Sequence, residues 1–302
     1  MTPYLEVPLR LVVLLGLAPL LPGIINKVKA WVGGRRGPPV LQLYYDLARL
    51  WRKGVVMSTL ASPGFIAGPA VAWVAVVAAI VLLPLGPAEA PFAFRGDVLL
   101  MIYLLALARF GTTWAAMETG SAFEGMGVAR EVSYAVIAEA AIIAAVLSLS
   151  VQTGSVSLSA MLAPAPGAGA VLLAAGLFTV LLAENCRVPF DDPNTHLELT
   201  MIHEVMALDH SGPPLAVILH GAAVKLLLFS LLLVEAVLPL GGVSAPVALA
   251  IIAAGVFVVT IGVGLVESLL ARFAFRSVPL LLTTAFLMCL FALLMAWKGG
   301  AA

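Results

Sequence analysis

Eight apolar runs, each of about twenty residues, constrain the fold of this chain more than any other feature of its sequence. They occupy residues 5–25, 65–86, 97–117, 132–152, 168–184, 214–238, 246–267 and 278–297. A helix of about 20 apolar residues crosses the hydrocarbon core of a membrane, and Pro, Gly and charged residues separate the runs. The sequence therefore predicts an all-α integral membrane protein with eight transmembrane helices.

The composition indicates a single membrane domain over residues 1–302. Hydrophobic residues make up 62% of the chain and charged residues 11%, with a mean hydropathy of +1.11, whereas soluble proteins are roughly half apolar and a quarter charged. A net charge of zero leaves no basic surface for nucleic acid. The two cysteines, Cys186 and Cys289, have no zinc or iron–sulfur spacing, so we expect no redox centre held by this chain.

Basic residues are concentrated in the odd-numbered connections between the runs. They are Lys27, Lys29, Arg35, Arg36, Arg49, Arg52, Lys53, Arg130, Arg187, Arg272 and Arg276. Cytoplasmic loops of membrane proteins are enriched in Lys and Arg. The sequence thus predicts that odd-numbered loops face the cytoplasm and that both termini lie outside, in the cytoplasmic (inner) membrane.

The first connection contains two patterns. Residues 40–53, "VLQLYYDLARLWRK", have apolar residues at helical spacing with basic and aromatic flanks, which predicts a cytoplasmic amphipathic helix in the plane of the interface. It could anchor the loop, or form a basic lip over a cavity or a partner protein. Residues 33–37, "GGRRG", could bind a phosphate, but they follow no strand and open no Walker-type helix.

Ionisable residues interrupt the predicted membrane helices. Arg109, Glu139, Glu184, Lys225 and Glu235 all fall inside or at the end of an apolar run. A charge at the centre of a bilayer costs about 2.5–3.5 kcal/mol on insertion scales, and such residues commonly form proton pathways. The alternatives are static ion pairs, or a neutral, hydrogen-bonded Glu139 that holds helices together.

The third connection contributes further acidic residues. Glu118, Glu124 and Glu131 are predicted near the membrane surface, and Glu131 shares a helix face with Glu139, eight residues later.

The fifth connection, residues 183–212, holds three of the four histidines and six of the sixteen acidic residues. His196 and His203 are seven apart, with Glu204 beside the second, and the H-E-x-x-H spacing of a zinc site is absent. We therefore expect no metal site. Carboxylates and imidazoles near neutral pH can instead exchange protons or respond to a neighbouring redox event.

Three segments together resemble the complex I subunit 1 family. They are "GIINKVKAWVGGRRGPPVLQLYYDLARLWRK", "GVAREVSYAVIAEAA" and "AENCRVPFDDPNTHLELTMIHEVMALDHSG". Their order and their placement between the runs are similar to the membrane subunit of energy-converting nickel–iron hydrogenases, of the formate hydrogenlyase subunit 4 and hydrogenase-4 component C type. The resemblance covers nearly the whole chain.

The resemblance implies a subunit that couples electron transfer to ion movement. Its partners would be hydrogenase-like large and small soluble subunits, antiporter-like membrane subunits and the lipid bilayer. The nickel–iron centre and iron–sulfur clusters would belong to those partners, with no cofactor and no catalytic residue in this chain. The implied coupling set is Glu118, Glu131, Glu139, Glu184, Arg187, Asp191, Asp192, Glu198, His203, Glu204 and Asp209, to which the buried Lys225 and Glu235 are added. The implied docking residues at a cavity mouth under the soluble module are Arg35, Arg36, Gln42 and Asp46.

One departure from the family pattern concerns quinone. Quinone-using members read close to "NRAPFDLPEAEAEL", whereas this chain reads "NCRVPFDDPNTHLEL", with Asn194 and His196 at two acidic positions and Glu198 retained. This departure places a quinone site in doubt.

We therefore expect a coupling subunit of a hydrogenase-type oxidoreductase that translocates protons or sodium ions. The nearest alternative is the quinone-binding subunit of a respiratory NADH dehydrogenase. A stand-alone secondary transporter would need inverted repeats and broken helices, which the sequence does not display. A metalloenzyme would use His196, His203 and Glu204.

Overall fold

The computed structural model describes residues 3–58, 61–162, 169–191 and 202–300. Within these ranges the regular structure is helical, and the one β-bridge is isolated. The helices are α1 (Pro3–Leu17), α2 (Leu20–Val32), α3 (Gln42–Leu50), α4 (Gly64–Val81), α5 (Asp97–Met117), α6 (Ala122–Thr153), α7 (Leu158–Met161), α8 (Ala170–Glu184), α9 (Gly212–Val237), α10 (Ala245–Leu269) and α11 (Val278–Gly300), with 3-10 helices at Glu204–Ala207 and Phe275–Ser277.

Seven segments of the described chain are long and apolar enough to cross a membrane, which confirms an integral membrane protein. They are Val7–Val32, Gly64–Val81, Asp97–Met117, Ala122–Thr153, Gly212–Val237, Ala245–Leu269 and Phe275–Lys298. The predicted fifth run corresponds to α8, which is apolar but has only 15 residues. Its rise of about 22 Å is less than the ~30 Å of a hydrocarbon core, so α8 does not meet the length criterion that the other seven meet.

The first and third connections are more helical than their hydropathy indicates. Helix α6 begins at Ala122, ten residues before the predicted run, so Glu124 and Glu131 of the third connection lie on its first three turns. Hydropathy detects only the apolar part of such a helix. In the first connection, α3 is nine residues long, with Leu50 buried and Tyr45 exposed, and it packs on α2 and α9.

Close helix packing brings the charged positions of different helices together. Helix α9 is the most buried of the seven segments. Helix α5 packs on α4 at Gly68 and Gly111, where a Cβ on Gly68 would lie 2.4 Å from the Gly111 carbonyl oxygen. Small residues permit such an approach of two backbones in a membrane. Arg109, two residues before Gly111, is thereby held at the interior of the bundle.

Candidate functional site

Arg109 on α5 is the centre of a largely buried charge network, in which the Glu139 side chain remains 39% exposed. Its Nη2 lies 2.6 Å from Oε1 of Glu184 on α8, and its Nε lies 3.6 Å from Oε1 of Glu131 on α6. Its Nη1 donates to the Glu139 carboxylate, two turns further along α6. The guanidinium group suits this arrangement because its donors point in several fixed directions in one plane. One arginine therefore joins three carboxylates from two other helices.

Lys225 on α9 extends the network to a fourth helix. Its Nζ lies 2.8 Å from Oε2 of Glu184, so this carboxylate bridges Arg109 and Lys225. The side chain of Glu184 is only 3% exposed, and a buried carboxylate requires such partners. Three carboxylates face two cations, which leaves the fully ionised network with one excess negative charge.

A cavity of about 70 Å³ adjoins the network. Its polar lining consists of Arg109, Thr112, Glu131, Glu184, Asn185, Cys186, His203 and Lys225, with Trp73 beside them. One water needs roughly 10–15 Å³ of such volume and two to four polar partners, so the cavity has room for several waters. A second cavity of about 30 Å³ shares Glu131 and Glu184 and extends to Asp191. The two cavities thus place polar side chains from α5, α6, α8 and α9 around adjoining internal spaces.

Asp191 joins the two described parts of the fifth connection. Its Oδ2 accepts hydrogen bonds from the backbone N–H groups of Ile202 (2.9 Å) and His203 (3.1 Å). Its Oδ1 lies 3.3 Å from Nη2 of Arg272, which belongs to the seventh connection. Asp191 therefore links the backbone at His203 to Arg272 of the seventh connection.

Glu131, Cys186 and His203 meet beside the network. Each offers a ligand atom, and these atoms lie within 4.8 Å of one another, so this is the set within the described chain that could hold a metal ion. Cys186 has a left-handed backbone (φ 50°), which non-glycine residues seldom adopt. Burial raises the pKa of the Cys186 thiol well above its usual value and lowers the pKa of the His203 imidazole, so both groups are neutral near pH 7. Sequence spacing could not reveal this set, because its members are far apart in the chain.

A second ionic cluster lies where α2 and α10 end. Glu267 on α10 accepts from Nζ of Lys29 (2.8 Å) and lies 3.4 Å from Nη1 of Arg187. Arg187 was among the residues implied from the sequence, whereas Glu267 was missed. The sequence did contain a signal for Glu267, because this residue ends an apolar run in the same way that Glu184 does.

Four of the implied coupling residues lie apart from the Arg109 network. Glu118, at the end of α5, accepts from the Trp114 indole N–H (2.9 Å). Glu204 opens the 3-10 helix that packs on α5 and α6, and Asp209 is exposed. Glu235 lies ten residues, about 15 Å, beyond Lys225 along α9. It is buried and accepts from the Gly86 backbone N–H (2.9 Å).

The four docking residues that the resemblance implied in the first connection also lie apart from the Arg109 network. Nε2 of Gln42 lies 3.2 Å from both Asp46 oxygens, and Arg49 pairs with Asp46 at 2.8 Å, so this group stays within α3. Arg35 and Arg36 line a groove between α2 and α10. None of these four residues lines the cavity at Arg109.

Two of the implied coupling residues, Asp192 and Glu198, lie outside the described residues. The same holds for His196 of the metalloenzyme alternative.

His220 is a structural histidine that the sequence pattern did not single out. The Trp73 indole N–H donates to its Nδ1 (2.8 Å), so its proton resides on Nε2, which donates to the Leu15 carbonyl oxygen (3.2 Å). This tautomer follows from the hydrogen-bond network. His220 joins α1, α4 and α9 beside the cavity.

Fold and site together define a multi-helix membrane protein whose helices enclose a network of opposite charges beside an internal cavity. The chain belongs to the NADH dehydrogenase family, whose sequence model matches residues 5–298.

Its relatives include components of hydrogenase and quinone oxidoreductase complexes. Hydrogenase-4 component C of Escherichia coli (strain K12) is 33% identical over 239 residues, which is 76% of this chain and 74% of that protein. Formate hydrogenlyase subunit 4 of the same organism is 28% identical over 239 residues, 77% of each chain. A subunit of the NADH-quinone oxidoreductase of Anaplasma phagocytophilum (strain HZ) is 28% identical over 243 residues, 72% and 70% of the two chains. The family membership expected from the three sequence segments is confirmed.

The fold is also found in a solved respiratory complex. A chain in the structure of the membrane-bound sulfane sulfur reductase (MBS), an archaeal respiratory membrane complex, superimposes with a TM-score of 0.86. The match covers 98% of this chain and all of that chain, at 21% sequence identity. It establishes a shared fold over nearly the whole length.

Proposed function

We propose that the chain is the membrane-anchor and coupling subunit of a hydrogenase-type oxidoreductase related to complex I. It links electron transfer in a docked soluble module to translocation of protons or sodium ions. The observation that carries the proposal is the Arg109 network, which joins four helices and touches the fifth connection through Glu131, Cys186 and His203. The relatives named as parts of hydrogenase-4 and formate hydrogenlyase favour the hydrogenase type.

The proposed topology has eight spans in the cytoplasmic membrane. Helix α8, the fifth span in chain order, brings the number of spans to eight. It is short, and local thinning of the bilayer accommodates it. Both termini lie outside and the odd-numbered loops lie inside, as the distribution of Lys and Arg favours. Helix α3 then lies in the cytoplasmic interface, with Tyr45 exposed and Leu50 buried.

The proposed partners dock on this cytoplasmic face and beside the membrane helices. Hydrogenase-like large and small subunits hold the nickel–iron centre and the iron–sulfur clusters, and antiporter-like subunits adjoin in the membrane. The chain itself contributes no redox centre. Gln42 and Asp46 on α3 belong to the docking face, whereas Arg35 and Arg36, which the resemblance also implied for docking, line the separate groove between α2 and α10.

Coupling begins at the fifth connection. Electron transfer in the docked module changes the charge near the cytoplasmic face, and the backbone held by Asp191 responds. Glu131 is the link, because it lies near His203 on one side and contacts Arg109 on the other. When Glu131 moves, Arg109 redistributes its bonds toward Glu139 and Glu184. The excess carboxylate then takes up a proton, which the cavity waters deliver.

The experiment that tests this function replaces Glu139 by Gln in the whole complex. Glutamine keeps the size of the side chain and a hydrogen-bond acceptor but cannot ionise. In proteoliposomes, hydrogen-linked electron transfer should continue while ion uptake per electron falls. Glu118→Gln is the matched control, because Glu118 is a carboxylate on the same inner side but outside the network. Full ion stoichiometry in Glu139→Gln would remove Glu139 from the pathway.

The alternative is the quinone-binding subunit of a respiratory NADH dehydrogenase, which the similarity to a subunit of NADH-quinone oxidoreductase favours. The cavity at Arg109, at about 70 Å³, is far smaller than the ~300 Å³ at which small-molecule pockets begin. The residues present thus fit waters better than a quinone head group. Co-purification separates the two functions: a partner with nickel-ligating cysteines supports the hydrogenase type, and inhibition by quinone-site inhibitors supports the alternative.

A further inference from the structure

A groove of about 510 Å³ runs between α2 and α10, away from the Arg109 network. Three cationic side chains, Lys27, Arg35 and Arg36, line one part of it. Trp31 and the apolar side chains of Ile24, Val28, Val40, Phe257 and Ile261 line the rest. The groove thus combines a basic lip with an apolar floor.

The basic lip is held in place by the backbone of the loop after α2. The Lys27 Nζ donates to the Arg36 carbonyl oxygen (2.9 Å), and the Arg35 backbone N–H donates to the Ala30 carbonyl oxygen (2.7 Å). Gly37 has φ +63°, and a Cβ there would lie 2.4 Å from the Ala30 Cβ, so only glycine allows this loop to fold back on α2. The "GGRRG" sequence therefore presents its arginines in a defined position.

In the described part of the chain, these three cations lack an acidic partner of the kind that the neighbouring Lys29 has. Lys29, on the same helix, pairs with Glu267 at 2.8 Å. Within the described residues no ion pair involves Lys27, Arg35 or Arg36, and no acidic side chain lines the groove. A cluster of three positive charges at the end of a membrane-spanning segment attracts an anion.

The apolar floor leads from this lip into the hydrocarbon layer. Helix α10 is the least buried of the seven membrane-crossing segments, so the groove opens toward lipid. Glu267 on α10 lies at the level of Lys29, with which it pairs. Phe257 is 51% exposed and precedes Glu267 by ten residues, so it lies about 15 Å further along the helix, away from that level. Trp31 is 79% exposed near the basic lip, where an indole suits the head-group region.

We propose that this groove binds one anionic phospholipid. The phosphate lies against Lys27, Arg35 and Arg36, and an acyl chain lies along Phe257 and the aliphatic residues of the floor. Arginine guanidinium groups bind phosphate oxygens through paired N–H donors. A free phosphate would use only the lip, whereas a lipid uses both parts of the groove. The proposal depends on neither the coupling role nor the identity of the soluble partner.

The test uses the purified complex in detergent and native mass spectrometry, with phosphatidylglycerol and phosphatidylcholine as probes. The double variant Arg35→Gln/Arg36→Gln should weaken phosphatidylglycerol binding about thirtyfold, because each surface charge contributes roughly a fivefold factor. Binding of phosphatidylcholine should change little. The matched control is Arg52→Gln/Lys53→Gln, which removes two exposed charges from the same connection but outside the groove.

Three results would overturn the proposal. Equal losses in the two double variants would indicate diffuse attraction rather than a site. Displacement of phosphatidylglycerol by inorganic phosphate alone would indicate a phosphate site without a lipid chain. Cross-links from the groove to a partner subunit, with no lipid exchange, would indicate a protein interface.

Discussion

Arg109 Nη2 and Glu184 Oε1 lie 2.6 Å apart, although 75 residues separate them in the chain. This pair joins α5 to α8, and the second oxygen of Glu184 continues the contact to Lys225 on α9. The packing of α5, α8 and α9 shields these three charges from solvent. The ion pairs in turn hold the three helices together. The network therefore contributes both to the assembly of the bundle and to its proposed chemistry.

Removing the guanidinium should destabilise the bundle. Arg109→Met leaves three carboxylates facing one lysine, and loss of one partner of a buried pair costs about 3–5 kcal/mol. We expect a clearly lower melting temperature of the purified complex in differential scanning fluorimetry. The exposed Arg95→Met is the control and should melt like the unaltered protein. A similar melting temperature for both variants would show that the network adds nothing to stability.

Asp191→Ala should loosen the second part of the fifth connection, which begins at Ile202. The substitution removes the acceptor of two backbone N–H groups, and hydrogen bonds to a charged group contribute about 1.5–3 kcal/mol each. Hydrogen–deuterium exchange of residues 202–210 should become faster. Asp46→Ala serves as the control, since its contacts stay within α3. Unchanged protection of residues 202–210 would contradict the role given to Asp191.

Gly111→Ala should separate α5 from α4. Its Cβ would lie 2.7 Å from the Gly68 carbonyl oxygen and 3.0 Å from the Ala72 nitrogen, and both are backbone atoms that cannot turn aside. We expect poor assembly of the complex on size-exclusion chromatography. Gly125→Ala on α6 has open space around it and should assemble normally. Normal assembly of Gly111→Ala would show that α4 and α5 can move apart without loss.

Acidification should destabilise the packing around His210. Its ring stacks on Phe65 at 4.0 Å, and its Nε2 lies 3.1 Å from the Phe65 carbonyl oxygen. Burial lowers the pKa of His210 in the folded state. The unfolded chain therefore binds the proton first, and stability is lost as the pH falls below the ordinary value of about 6.5. Melting between about pH 7.5 and 5.5 should depend less on pH in His210→Gln. An unchanged pH dependence would contradict this assignment.

Hydropathy was enough to locate most helices but not their contacts. The run predicted at 97–117 coincides with α5, because the apolar stretch and the helix begin and end at the same residues. The start of α6 was missed because its first ten residues are mixed in polarity. The pairing of Arg109 with Glu184 depends on which helices pack together, and a single sequence carries no direct record of that. Likewise, Glu131, Cys186 and His203 converge only once the chain is folded.

Sequence resemblance supplied what periodicity could not. The three segments identified the family, and the family match over residues 5–298 agrees with them. Resemblance grouped Asp209 with the coupling residues, and a position inside an apolar run grouped Glu235 with them, whereas in the structure Asp209 is exposed and Glu235 accepts a hydrogen bond from the Gly86 backbone. Shared residue type does not establish shared position.

The most direct test of the coupling account measures electrons and ions in the same vesicles. Proteoliposomes that contain the whole complex with Glu184→Gln would be followed for electron transfer and for ion uptake together. Because Glu184 bridges Arg109 and Lys225, its neutralisation should leave electron transfer running while the number of ions moved per electron falls steeply. If Glu184→Gln instead moves as many ions per electron as the unaltered complex, the charge network is not the link between the two processes.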